Sequence, residues 1–208
     1  YLDPRPETAG RLLESLEPVD LPGTMRFIAR SVRGELELTR GNVRTAALIQ
    51  RVSLRYAGNW RSILGSGSQW ELYILSMCLV TDVELSPDDA VELDARAVRA
   101  RATSLLREIL SDPAPLQRDI PTLMAFAAAV GLSTVAAEDA GSDRRAVGGE
   151  LVATALAVGT NQTCRLLSHD YLRSRTERLD ARALAQAEER IRSLDRGGLV
   201  AHAADLAG

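Results

Sequence analysis

Apolar residues recur at every third or fourth position over most of this chain, the spacing that keeps them on one face of a helix. The clearest run is Val91, Ala95, Val98, Ala102, Leu105 and Ile109, which forms one continuous seam. It follows a strong start signal: Ser86 can cap, Pro87 takes the first helical position, and Asp88 and Asp89 fall in the first turn. The pattern predicts a single helix from Ser86 to the region of residue 110. A second seam joins Ala183, Leu184, Ala187, Ile191 and Leu194. The run WELYILSMCLV is apolar on most sides and predicts a central helix ending near Thr81.

Weaker signals complete the series. Residues 7–17 and 24–33 read as helices separated by the LPG turn at 21–23. GELELT at 34–39 alternates, but no partner strand follows, so it reads as a turn or a distorted helix. Asn42 can cap a helix that runs to the region of Tyr56. GSGS at 65–68 is a loop, and Ser68 with Glu71 forms a capping box for the central helix. Pro121 stands near the start of a helix at 116–130. The stretch 143–173 reads as a long helix weakened by Gly148, Gly149 and Gly159. Ser174 and Glu177 form a second capping box and start the last long helix. The Arg-Gly-Gly at 196–198 closes it, ahead of a short tail helix at 199–207. The fold class is therefore all-α: a single domain over 1–208, a bundle of about eight to nine helices, with a soft boundary near 112–115.

Composition supports this and excludes some chemistry. The chain has 208 residues, 46% hydrophobic and 25% charged, which is ordinary for a globular domain. All 25 basic residues are Arg. With no Lys, neither Schiff-base nor P-loop lysine chemistry is available. Abundant Arg and Ala also suit a GC-rich, bacterial genome. Cys78 and Cys164 lie far apart in apolar helical patterns, as buried reduced thiols of a cytoplasmic protein do. No apolar run reaches the length of a membrane span and no secretory signal is visible. The chain opens on Tyr1, not Met, which leaves room for a preceding segment.

Positive charge is concentrated in one place. Residues 40–70 hold Arg40, Arg44, Arg51, Arg55 and Arg61 and no acid, in a chain of formal net charge -3. On a helix, Arg40, Arg44, Arg51 and Arg55 fall within about a 60° arc. Tyr56, Trp60 and Trp70 lie just beyond. Such a stripe can neutralise phosphates while aromatics stack on bases, or can grip an acidic protein. Residues 82–94 offer a nearer partner, with Asp82, Glu84, Asp88, Asp89, Glu92 and Asp94 and no base. The two blocks can meet within one chain or across a homodimer.

Several local motifs lie within this layout. DDAVE at 88–92 resembles the D-D-x-x-E magnesium–diphosphate motif of class I terpene synthases and prenyltransferases, which are helical enzymes. That resemblance would place Asp88, Asp89 and Glu92 on magnesium, but the second metal-binding motif of that family does not appear at 161–177. RLLSHDYLRSRTER at 165–178 puts His169 beside Asp170 and one turn from Arg165 and Arg173. It looks loosely like the Arg–His pair of HEPN ribonucleases, which implies His169 as a general base on RNA. Only three residues separate Arg165 from His169, fewer than that family usually has. GSGSQW lacks the third glycine of a phosphate loop, and no G-x-S-x-G elbow is present. Two His and two Cys, none at ligand spacing, predict no metal site and no cofactor.

The sequence thus favours a non-enzymatic helical module, either an interaction domain or a ligand-sensing regulatory one, self-associating through one of its seams or binding an acidic protein. The second reading is a nucleic-acid-binding protein using Arg44, Arg51, Arg55 and Arg61 with Trp60. The third is a small RNA-directed enzyme centred on His169.

Overall fold

In the computed structural model, which describes residues 10–11, 14–15, 23–57, 69–110, 120–137, 140–160 and 165–207, every regular element among them is helical. Nine α-helices are laid out in chain order among those residues. The first three are α1 (Gly23–Thr39), α2 (Val43–Ala57) and α3 (Gln69–Asp82). A short α4 (Pro87–Glu92) leads into α5 (Ala95–Leu110). Then come α6 (Ile120–Ala136), α7 (Ser142–Val158), a 3-10 turn at Arg165–Leu167, α8 (His169–Ile191) and α9 (Arg196–Ala207).

GELELT is helical, not a turn: α1 runs through it to Thr39. Tertiary packing overrides the short alternation there. Ser31 and Gly34 are buried on one side and Leu36 on another, and Gln50 of α2 packs so close to Gly34 that a Cβ there would lie 2.5 Å from Gln50 Nε2. The helix then stops on Gly41, at φ 82, with Gly41 N–H donating to Leu38 O and Asn42 N–H to Glu37 O. That is a Schellman ending, which only glycine adopts without strain.

The seam from Val91 to Ile109 is broken rather than continuous. Ser86 caps as read, accepting from Asp89 N–H at 3.2 Å, but α4 lasts only to Glu92. Asp94 turns into the left-handed region at φ 53 and its carboxylate accepts from Ala97 N–H, starting α5 afresh. Val91 is consequently 82% exposed, while Ala102, Leu105 and Ile109 are buried. The seam on α8 holds for Ala183, Leu184, Ala187 and Ile191, with Leu194 left partly exposed beyond the helix. The buried part of each seam packs inside the chain, while Val91 and Leu194 stay exposed.

Other boundaries also moved. α6 continues to Ala136, past residue 130, because its last turns stay buried. The stretch 143–173 is two helices: α7 ends at Gly159, φ 108. α8 is started by Ser168, whose hydroxyl accepts from Tyr171 N–H. Ser174 is mid-helix, donating to Tyr171 O; the break comes at Asp180, whose carboxylate accepts from Ala183 N–H at 2.9 Å. The Arg-Gly-Gly at 196–198 begins α9 instead of closing α8. The soft boundary at 112–115 lies outside the described residues, but helices from both sides of it share one hydrophobic cluster.

α6 is the centre of that cluster, buried on nearly every side, with α3 packed against it from one direction and α7 from another. α7 in turn carries α8 and α9, and α2 links α1 to α3. The helices of the central pair touch through backbone. A Cβ on Gly131 would lie 2.5 Å from Gly148 O, and one on Gly148 would lie 2.7 Å from Gly131 O. Gly148 and Gly149 therefore serve packing, the latter against Ala183. No helix of the described residues is long and apolar enough to cross a membrane.

Candidate functional site

The basic stripe and the acidic block meet within the chain. Arg44 of α2 forks onto Glu92 at 2.9 and 2.7 Å and also binds Asp89. Two turns further on the same face, Arg51 grips Asp82 through Nη1–Oδ1 at 2.8 Å and Nη2–Oδ2 at 3.0 Å. Its Nε donates to Leu93 O at 2.7 Å, so one guanidinium holds both ends of the α4 segment. Arg55 belongs to α2, but its side chain lies outside what is described, as do Trp60 and Arg61 altogether. Burial pushes the Asp82 carboxyl above its ordinary range, with Arg51 opposing. Glu92 is held low chiefly by its hydrogen bond with Arg44, and Asp89 by Ser86 and then Arg44. Two acids of the DDAVE motif are thus committed to an arginine of this chain.

The opposite side of the same segment is held by α8. Arg175 Nε lies 2.8 Å from Glu84 Oε1, and Tyr171 donates its hydroxyl to the same carboxylate at 2.8 Å. Burial and the Glu84 contact push the Tyr171 hydroxyl above its usual value. Residues 82–94 are therefore clamped between α2 and α8. Sequence blocks suggested the first contact; nothing local to Tyr171 or Arg175 signalled the second.

His169 is placed by structure more than by chemistry. Its Nε2 accepts from Thr160 N–H at 3.1 Å, while Thr160 Oγ1 donates to Leu167 O. That nitrogen is thereby occupied, which is the lone pair a general base would use. Arg173, one turn on, pairs with Glu177 and Glu188, and the side chain of Arg165 is not described. His202 has the partner its sequence context lacked: Glu150 at 2.9 Å, a carboxylate that also takes Arg190 at 2.5 Å. Cys78 is fully buried and its thiol is pushed up to about 12 by desolvation, so it is a packing group and not a nucleophile. Cys164 lies outside the described residues. Among the described residues no group of three or more His, Cys, Asp or Glu is arranged to hold a metal.

A groove of about 550 Å³ lies elsewhere, between α5, α6, α7 and α9. Its floor is apolar, made by Leu106, Val130 and Leu151, all buried. Its rim carries Arg96, Arg99 and Arg107 from α5 and Arg144 from α7, against the single carboxylate of Asp143. On α5 the three arginines fall within about an 80° arc, the test that drew attention to residues 40–55. They escaped notice because Arg101, in the same run, points the other way, to the buried carboxylate of Glu71 at 2.7 Å. A second cavity of about 540 Å³ adjoins the first, sharing Arg96, Arg99 and Ala137.

No protein-family model matches this chain, and neither does any curated protein or solved structure.

Proposed function

We propose that this chain is a non-enzymatic helical module that binds a small molecule between its helices, the ligand-sensing form of the reading drawn from its sequence. The observation that carries it is the groove with an apolar floor and a polar rim, within the roughly 300–1,000 Å³ typical of ligand pockets. The nucleic-acid reading gains nothing from Arg44 and Arg51, whose guanidiniums are occupied by Asp82, Asp89, Glu92 and a backbone carbonyl. The enzymatic reading gains nothing from His169, whose Nε2 is taken by Thr160.

The test is a fluorescence titration with the neutral fluorophore N-phenylnaphthylamine. Saturable one-to-one binding to the native chain is expected, and Val147→Phe, which places a ring in the groove, should abolish it. Binding unchanged by Val147→Phe would refute the reading.

A further inference from the structure

We infer that the groove and the cavity beside it together take one free molecule with a long, unbranched hydrocarbon chain and an uncharged head. The inference rests on the ligand-binding reading above and adds the chemistry of the ligand.

The polar atoms around the groove are already committed. Arg96, Arg99 and Arg107 each interact with another group of the chain. Thr103 donates to Arg99 O at 3.0 Å and Thr134 to Val130 O at 2.8 Å, each within its own helix. Ser142 donates to Asp143 at 3.2 Å, and Arg144 stands exposed at the rim. What the groove offers a ligand is apolar surface. It comes from the floor of Leu106, Val130 and Leu151 and from arginine stems, which give contact even where their heads are engaged. A charged head would have to break existing contacts or stay in water, whereas a hydrocarbon chain gains with every methylene it buries.

Shape sets the form of the chain. The groove follows α5 from Arg96 to Arg107, about 17 Å at 1.5 Å per residue. The adjoining cavity shares Arg96, Arg99 and Ala137 and carries the path past the start of α5, where Val83, Leu85 and Val91 supply apolar wall. Arg99 crosses the junction from α5 to α6, donating to Ser133 O at 3.5 Å, the long end of a hydrogen bond. A compact ring system fills one cavity and leaves the other, while a single extended chain runs along α5 through both. Such a chain would also cover Val91, which the fold leaves 82% exposed.

The experiment displaces N-phenylnaphthylamine from the full chain with octanol, dodecanol and hexadecanol, with dodecanoate and adamantanol for comparison, alongside cosedimentation with phosphatidylcholine vesicles. Affinity should rise about two- to fourfold for each methylene added, from octanol to dodecanol and again to hexadecanol. Dodecanoate should bind no more tightly than dodecanol, and adamantanol more weakly. Ala136→Phe, which places a ring in the adjoining cavity, should keep octanol and dodecanol binding and remove the further gain with hexadecanol. Val91→Glu, at a position already open to water, should do the same without touching the packing of α6. Affinity that stops rising at dodecanol in the native chain, tighter binding of dodecanoate, equal binding of adamantanol, or binding to vesicles alone would each overturn the inference. If N-phenylnaphthylamine binds in a Val147→Phe-sensitive way and no alcohol displaces it, the inference fails and the ligand-binding reading stands. If that fluorophore fails too, both fall.

Discussion

Arg51 and Asp82 form a two-pronged ion pair whose side chains are only 14% and 6% exposed. A pair this sheltered is costly to break from one side, because the survivor keeps its charge with no partner. Arg51→Met should therefore lower unfolding free energy by about 3–5 kcal/mol, and the Arg51→Met, Asp82→Leu double variant should recover most of it. Urea unfolding of the two variants measures this directly. A single variant as stable as the parent would show that the pair does not hold α2 to the 82–94 segment.

The neighbouring pair, Arg44 with Asp89 and Glu92, is exposed and acts on the pH profile. Glu92, Asp89 and Glu37 all have lowered values, set first by Arg44, Ser86 and Asn42 respectively. A lowered carboxyl contributes stability above its unfolded pKa of about 4, and loses it as pH falls through the folded value. Asp82 has the opposite sign, since burial raises it. Its contribution is present below the unfolded value and is lost as pH rises through the folded one. Arg44→Gln should flatten the acid-side fall in the urea midpoint, and Asp82→Asn should remove the opposing term and steepen it. Identical pH profiles for parent and Arg44→Gln would contradict the assignment.

Helix identity was legible because the seams carry a three-to-four spacing, and the pairing of charge blocks was legible because each block is single-signed. Breaks were less so. Val91 and Ala95 keep the spacing across Leu93 and Asp94, and only the left-handed backbone at Asp94 shows that α4 and α5 are separate. Ser174 had the look of a cap, yet Ser168 lies one helical start earlier and takes that role. The groove was hidden for a different reason. Arg96, Arg99 and Arg107 read as an ordinary solvated face until α7 and α9 are seen to close the other side.

Gly131 and Gly148 should tolerate no side chain. Each backbone occupies the space where the other's Cβ would go, at 2.5 and 2.7 Å from a carbonyl oxygen. Backbone cannot swing aside as a side chain can, so Gly131→Ala and Gly148→Ala should each cost about 1–3 kcal/mol, more than the gain in helix propensity returns. Gly141→Ala is the control, since nothing lies within 4 Å of the added methyl and its φ is -66. Thermal or urea melts should rank the control near the parent and both crossing variants well below it.

His169 provides the sharpest separation of a structural role from a catalytic one. Its ring accepts the Thr160 N–H just after α7 ends, tying that exit to the start of α8. Replacing it with Ala leaves a half-buried backbone donor without its partner, a loss of about 1–3 kcal/mol. His169→Gln, whose side-chain oxygen can accept in the same place, should recover part of that loss. A catalytic imidazole behaves otherwise: His169→Ala and His169→Gln would both keep the parent's melting midpoint and both lose an activity. Midpoints that fall for Ala and partly return for Gln would fix His169 as the link between two helices.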